Sequence, residues 1–181
     1  MKKILLFFWE TLQVVLLSLL IVIPIRVFVF QPFIVRGISM EPSFHAGDYL
    51  IVDELSFRFR EPKRGEVIVF RFPGDPSQRY IKRIIGLPRE TVVIEAGRVK
   101  IISESSEFWL DESFYLPGNV FSGDNFKKSL GSDEYFVMGD NRAHSSDSRL
   151  WGAVKKELII GRVILRLWPP SAFAKVEAPV Y

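Results

Sequence analysis

Ser39 lies in a short Gly- and Pro-flanked stretch, Gly37-Ile38-Ser39-Met40-Glu41-Pro42-Ser43, and its hydroxyl is a candidate nucleophile. A serine hydroxyl is a poor nucleophile until a base removes its proton. The chain has no cysteine, and its only histidines are His45 and His144. A serine hydrolase built on Ser39 would therefore need a base other than a partnered histidine.

Lys82, in the run Tyr80-Ile81-Lys82-Arg83-Ile84-Ile85-Gly86, is the candidate base. A lysine can accept a proton only when it is neutral, and its ordinary pKa is near 10.4. Burial among apolar groups can lower that pKa to about 7 or 8, a change on the order of 4 kcal/mol. The neighbouring isoleucines supply such surroundings, and alternation along a strand places Tyr80, Lys82 and Ile84 on one face. The alternative is a charged sheet-edge residue that discourages aggregation.

A third polar stretch runs from Met138 to Arg149, with the sequence MGDNRAHSSDSR. Two aspartates and two arginines, interleaved with small polar residues, are typical of a buried loop whose charges neutralise one another. The alternative is a solvated turn. If the loop is buried, it could place one of its hydroxyl groups beside a lysine and so orient the lysine side chain.

Residues 11–30 form a long apolar run that predicts a single transmembrane helix, preceded by a short cytoplasmic N-terminus at 1–10. About 20 helical residues span the hydrocarbon core of a bilayer, and Arg26 could snorkel to one face. The alternative is a cleaved signal peptide with Lys2 and Lys3 in its n-region, but no Ala-x-Ala-like site follows. Long following domains cross largely regardless of charge, so the sequence predicts an extracytoplasmic domain at 31–181 behind an anchor in the cytoplasmic membrane.

Short β-rich runs dominate that domain, at 49–52, 66–72, 80–87, 91–95, 98–102, 134–138 and 160–168. Ala96-Gly97 predicts a hairpin turn between two of them. Residues 103–132 are polar and rich in Ser and Gly, which predicts an irregular surface insertion. The predicted fold is mostly β, an antiparallel β-sheet domain behind one N-terminal transmembrane helix.

The composition excludes several classes of protein. Without cysteine, the chain can form neither disulfides nor zinc–thiolate sites, and two unclustered histidines argue against a metal centre. A net charge of +3 is compatible with a surface near anionic lipid but does not by itself indicate nucleic acid. We therefore expect no metal, no cofactor and no nucleic-acid partner.

Together, these stretches resemble the bacterial type I signal peptidases, which are membrane-anchored Ser/Lys endopeptidases that remove signal peptides from exported proteins. Four boxes follow the anchor in the family's order: Ser39-Met40-x-Pro42, the strands from Gly47-Asp48-Tyr49 to Pro73, Tyr80-Ile81-Lys82-Arg83, and Gly139-Asp140-Asn141-Arg142 continuing to Arg149. Each box alone is only suggestive, whereas all four in order behind one anchor are highly specific.

The resemblance implies that Ser39 is the nucleophile and Lys82 the general base. It implies that Ser145 forms a hydrogen bond with Lys82 and that the site is supported by Asp147, Arg142 and Asp140. It further implies a substrate cleft lined by Phe33, Val35, Gly37, Met40, Tyr80 and Ile81. The implied substrates are the signal peptides of preproteins, cut after small residues of the Ala-x-Ala type, at the membrane lipid surface and without a metal.

The chain departs from the family's usual pattern at several positions. Gly37 stands where some members carry a serine that assists the oxyanion hole, so here the oxyanion would be held by backbone N–H groups, including that of Ser39. Ser43, Arg89, Ala143 and His144 also differ from the commoner residues, and His144 falls at a variable loop position. Two alternatives stay open at this point: another Ser/Lys self-processing peptidase, and a non-catalytic anchored β-domain that binds exported peptides.

Overall fold

Twelve β-strands, two α-helices and four short 3-10 helices account for the regular structure of the residues that the computed structural model describes, which are 2–28, 30–118, 120–179 and 181, without the side chains of 2, 4–6, 21, 23–28 and 30. The helices are α1 (Lys2–Phe28) and α2 (Ser148–Trp151). The strands are β1 (Phe30–Ile34), β2 (Tyr49–Asp53), β3 (Val67–Phe72), β4 (Asp75–Gly86), β5 (Thr91–Glu95), β6 (Arg98–Ile102), β7 (Glu107–Trp109), β8 (Phe126–Ser129), β9 (Glu134–Met138), β10 (Val154–Lys155), β11 (Ile159–Trp168) and β12 (Ala174–Lys175). The prediction of a mostly β, antiparallel domain is confirmed.

Helix α1 covers most of the predicted membrane anchor and also residues 2–10, which the sequence assigned to a separate N-terminal segment. Within the described part of the chain, no helix combines the length and the apolar character that crossing a bilayer requires. The predicted anchor at 11–30 is therefore not confirmed. Val29, and the side chains of residues 21, 23–28 and 30, lie outside the described residues.

The larger sheet holds both candidate catalytic stretches. Its strand order is β1-β2-β11-β3-β4-β9-β10, with β12 added on β11, and the neighbouring strands pair antiparallel. Four successive antiparallel pairings separate β1 from β4, so these two strands run in the same direction. The Ser39 turn follows β1, and Lys82 lies on β4 opposite Ile68 of β3.

A second sheet of four strands has the order β7-β6-β5-β8. The predicted hairpin between β5 and β6 turns at Ala96 and Gly97, which both have positive φ (48° and 76°), as a two-residue hairpin turn of this kind requires. Strands β7 and β8 come from residues 103–132, which the sequence predicted to be irregular. These strands are only three and four residues long, too short to show a clear alternation of apolar and polar residues.

The Ser39 turn is held from beneath by the apolar core. Val35 and Met40, on either side of the turn, are 2% and 1% exposed and belong to the cluster that also contains Leu50, Val69 and Ile81. Burying side chains of this size contributes on the order of 2 kcal/mol each. The nucleophile candidate therefore sits on a fixed part of the main chain.

Candidate active site

The turn that carries Ser39 is held by hydrogen bonds to its main chain as well as by the core packing of Val35 and Met40. Gly37 has φ 78°, a left-handed conformation that side-chain-bearing residues rarely adopt. The Asn141 main-chain N–H donates to the Ser39 carbonyl at 3.1 Å, and the Asn141 amide donates to the Ile38 carbonyl at 3.1 Å. The loop that follows β9 therefore locks the peptide planes around Ser39.

Lys82 reaches Ser39 from β4. The distance from Lys82 Nζ to Ser39 Oγ is 2.7 Å, and Nζ also donates to the Ile81 carbonyl at 2.9 Å. The charged ammonium donates the bond to Ser39, whereas the neutral amine would accept it from the serine hydroxyl. Only 4% of Lys82 is exposed.

Burial lowers the pKa of Lys82 from 10.5 to about 8, against the opposing influence of the Asp147 and Asp140 carboxylates. The charged ammonium loses its hydration inside the protein, which favours the neutral amine. At mildly alkaline pH a large fraction of Lys82 is neutral and can take the Ser39 proton. The sequence-based interpretation of Lys82 as a buried lysine, rather than a sheet-edge charge, therefore agrees with the structure.

The Ser145 hydroxyl does not make the hydrogen bond to Lys82 that the resemblance implied. Ser145 Oγ is buried and has no hydrogen-bond partner among the described residues. Instead, Ser145 lies against Gly139: a Cβ added at Gly139 would overlap both Ser145 Oγ and the Ser39 carbonyl. Ser145 thus lies next to the Ser39 peptide, and its hydroxyl lies against the Gly139 main chain instead of forming the expected bond.

Asp140 pairs with Arg83, the residue after Lys82. Arg83 Nε and Nη2 donate to the two carboxylate oxygens at 2.8 and 2.6 Å, and Nη1 donates to the Gly65 carbonyl at 2.8 Å. Both side chains are almost completely buried. The sequence analysis gave Arg83 no role, although alternation along β4 places it on the face opposite Lys82. The pair joins β4 to the loop that follows β9.

Asp147 holds the other end of that loop. Its carboxylate accepts from the Gly139 main-chain N–H at 3.0 Å, and from Arg149 Nε and Nη2 at 2.8 Å each. It also accepts from the Arg149 main-chain N–H at 3.3 Å, which caps the start of α2. Asp147 is fully buried, so these contacts compensate its charge and fix the loop between Gly139 and α2.

Arg142 links the same loop to the 103–132 stretch. Its Nε donates to the Gly139 carbonyl at 3.2 Å, while its two terminal nitrogens donate to the Glu112 carboxylate and one of them to Ser122 Oγ. The sequence analysis missed Glu112, because a single glutamate in a polar, irregular stretch gives no signal of a buried partner. The two arginines and two aspartates of the loop do satisfy one another's charges, but only together with Arg83 and Glu112.

An open cleft of about 840 Å³ lies over Ser39 and Lys82. Four of the six predicted substrate-binding residues line it: Phe33, Gly37, Tyr80 and Ile81. Val35 and Met40 do not, because their side chains point into the core beneath the turn. None of the remaining cleft residues was predicted to bind substrate, and His144 was interpreted as a loop residue; they are Pro32, Ile34, Arg36, Ile38, Ser77, Gln78, Arg79, His144 and Ser146.

Among the described residues, no group of three or more His, Cys, Asp or Glu side chains is arranged to hold a metal ion. The neighbouring carboxylates, Asp140 and Asp147, are each occupied by an arginine. The arrangement as a whole places the buried amine of Lys82 where it can take the proton of the Ser39 hydroxyl.

Comparison with known proteins gives one consistent family. The family described as "Signal peptidase, peptidase S26" matches residues 8–168. The signal peptidase I of Leptolyngbya laminosa is 34% identical over 177 residues, covering 94% of this chain and 84% of that protein. The probable signal peptidase I-2 of Synechocystis sp. is 36% identical, covering 84% of this chain and 69% of that protein. The signal peptidase I of Bacillus caldolyticus is 32% identical, covering 85% of this chain and 88% of that protein.

Proposed function

Because the chain belongs to the signal peptidase family, peptidase S26, and is a serine endopeptidase that removes signal peptides from exported preproteins, we propose that Ser39 is its nucleophile and Lys82 its general base. The observation that supports this assignment most directly is the 2.7 Å distance between Lys82 Nζ and Ser39 Oγ. A nucleophile and its base must lie within such reach, and the base needs a pKa near the working pH. The lowered pKa of Lys82 meets the second requirement.

The reaction begins when the cleavage region of a preprotein lies along the cleft as an added strand, bound by main-chain hydrogen bonds. Neutral Lys82 takes the proton of the Ser39 hydroxyl as its oxygen attacks the carbonyl carbon of the scissile bond. The protonated lysine then gives that proton to the leaving amine, and the mature protein departs. Water activated by Lys82 hydrolyses the acyl-enzyme and restores the serine.

The negative oxygen of the tetrahedral intermediate is held by main-chain N–H groups, including that of Ser39. Gly37 has no hydroxyl to contribute, and its left-handed conformation shapes the turn ahead of Ser39. Asp140, Arg142 and Asp147 act as supports: they fix the loop whose Asn141 N–H bonds the Ser39 carbonyl. Ser145 supports the same peptide by packing beside Gly139.

The preferred cleavage sites carry small residues of the Ala-x-Ala type. Bulky apolar side chains bound the cleft around the dyad, among them Phe33, Ile34, Tyr80 and Ile81. Such walls leave room for a methyl group, whereas a larger side chain would overlap them sterically and is therefore excluded. Phe33, Gly37, Tyr80 and Ile81 are therefore assigned to substrate binding, with Val35 and Met40 supporting them from the core.

Helix α1 anchors the enzyme in the cytoplasmic membrane, with the catalytic domain on the extracytoplasmic side. The described side chains between residues 7 and 20 are exposed and mostly apolar, among them Phe8, Trp9 and Leu20. Exposing these apolar side chains to water is costly, whereas lipid would cover them. Holding the cleft at the membrane raises the local concentration of preproteins whose signal peptides lie in the same bilayer.

Cleavage of an Ala-x-Ala preprotein in detergent by matched variants tests the dyad. Ser39→Ala and Lys82→Met should each abolish cleavage and keep the fold, while Ser105→Ala, at an exposed position, should cleave normally. The wild-type rate should rise with pH with a midpoint near 8, because only neutral Lys82 is active. Full activity in either dyad variant, or a flat profile between pH 6 and 10, would refute the assignment.

A further inference from the structure

Tyr80 forms part of the cleft wall beside Lys82. Its ring lines the cleft and lies 5.5 Å from Lys82 Nζ, on the same face of β4. Its hydroxyl has one weak contact among the described residues, with Gln78 Oε1 at 3.5 Å. The position of the ring is therefore set by what packs against it rather than by its hydroxyl.

Phe72, at the end of β3, stacks on the Tyr80 ring. The two ring centroids are 4.7 Å apart with an angle of 15° between the planes, and Phe70 adds an edge contact at 6.3 Å. The turn after Phe72 makes room for its ring at Gly74, where an added Cβ would lie 2.7 Å from a ring carbon. Offset aromatic pairs of this kind contribute about 1 kcal/mol beyond the area that they bury.

Trp151 makes an edge contact with Phe72. Their ring centroids lie 5.6 Å apart at 80°, and Trp151 also contacts Phe70 at 5.9 Å. Trp151 is the last residue of α2, the helix that Asp147 caps. A continuous series of aromatic contacts, Trp151–Phe72–Tyr80, thus extends from α2 to the cleft wall.

We propose that Phe72, supported by Trp151, determines the size of the side chain that the cleft accepts beside the dyad, by holding the Tyr80 ring against the substrate. Neither Phe72 nor Trp151 lines the cleft, so both act through Tyr80. Without the stacked ring behind it, Tyr80 can move away from the substrate, and the cleft then admits branched side chains next to the scissile bond. The inference rests on the proposed cleavage after small residues.

The test compares two preproteins that differ only in Ala or Val at the residue before the scissile bond. Exclusion of one or two methyl groups by a rigid wall corresponds to roughly 10- to 200-fold discrimination in kcat/KM. In Phe72→Leu we expect the Ala-to-Val ratio to fall about tenfold, mostly through faster cleavage of the Val substrate. The separate variant Phe72→Tyr keeps the stacked ring and should show the wild-type Ala-to-Val ratio.

A matched control is Phe126→Leu, which removes a partly buried ring from the second sheet, 5.5 Å from Phe136. It should leave the ratio unchanged, which separates a local effect on the cleft from general loosening. If Phe72→Leu does not fold, Gly74→Ala displaces the same ring without deleting it and should lower the ratio in the same direction. An unchanged Ala-to-Val ratio in a folded variant overturns the role of Phe72 but leaves the proposed function untouched. A wild-type enzyme that cleaves neither preprotein overturns the proposed function as well.

Discussion

Replacing Lys82 by methionine should abolish cleavage and at the same time stabilise the fold at neutral pH. The pKa of Lys82 in the folded protein is about 8, against 10.5 for an ordinary lysine. At about 1.36 kcal/mol per pH unit, burial disfavours the charged form by about 3 kcal/mol. Methionine has a similar length and no charge, so the variant avoids this cost.

The size of the effect depends on pH in a defined direction. Below pH 8 both the folded and the unfolded protein carry the charged lysine, and the folded state bears the full cost of burying it. Between pH 8 and 10.5 the unfolded chain binds a proton that the folded protein does not, so the free energy of unfolding of the wild type rises. The methionine variant lacks this increase.

Lys82→Met also loses the hydrogen bonds to Ser39 and Ile81, each with a net value of about 1 kcal/mol. We therefore expect the variant to be about 1–2 kcal/mol more stable than the wild type at pH 7. By pH 10 the advantage should disappear, because the wild type has by then gained about 2–3 kcal/mol.

Denaturant unfolding in mild detergent at pH 7 and at pH 10 measures both values. Lys127→Met is the control, since Lys127 is exposed on β8 and its replacement should change the stability little at either pH. A variant less stable than the wild type at pH 7, or a difference that stays constant between the two pH values, would refute the buried, pKa-lowered lysine.

Two further substitutions test the loop that supports the dyad. Glu112→Gln should lower the free energy of unfolding by about 2–4 kcal/mol and reduce cleavage, because it leaves the buried Arg142 without its counter-charge. Glu107→Gln, at an exposed glutamate that pairs with Lys100, should cost less than about 1 kcal/mol in the same unfolding experiment. Gly139→Ala should reduce kcat about 100-fold, because its Cβ would displace Ser145 or the Ser39 carbonyl. Gly118→Ala, where no atom of the described residues other than its chain neighbours lies within 4 Å of the added Cβ, should be fully active, and a fully active Gly139→Ala would show that the loop tolerates displacement.

Much of the domain follows from local pattern. Short runs rich in β-branched and aromatic residues predicted most of the strands within one or two residues. The predicted strands Thr91–Glu95, Arg98–Ile102 and Glu134–Met138 match the observed bounds. The start of β4 was missed, since it lies at Asp75 in a polar run with few β-branched residues. Strands β7 and β8 were missed too, because short edge strands are defined by their partners rather than by their own residues.

The sequence by itself determined which groups could do chemistry here. Without cysteine and with two isolated histidines, a hydrolase built on Ser39 would need another base, and Lys82, among isoleucines on a predicted strand, was the candidate. Only the tertiary structure decided the geometry of the site: the distance from Nζ to Oγ, the lack of a partner for the Ser145 hydroxyl among the described residues, and the positions of Val35 and Met40 in the core instead of the cleft. It also decided the partners of the buried arginines, Glu112 and Asp140, which lie 30 and 57 residues away along the chain. Residue type and spacing predict what a side chain can do, whereas contacts between distant segments depend on how the strands pair and pack.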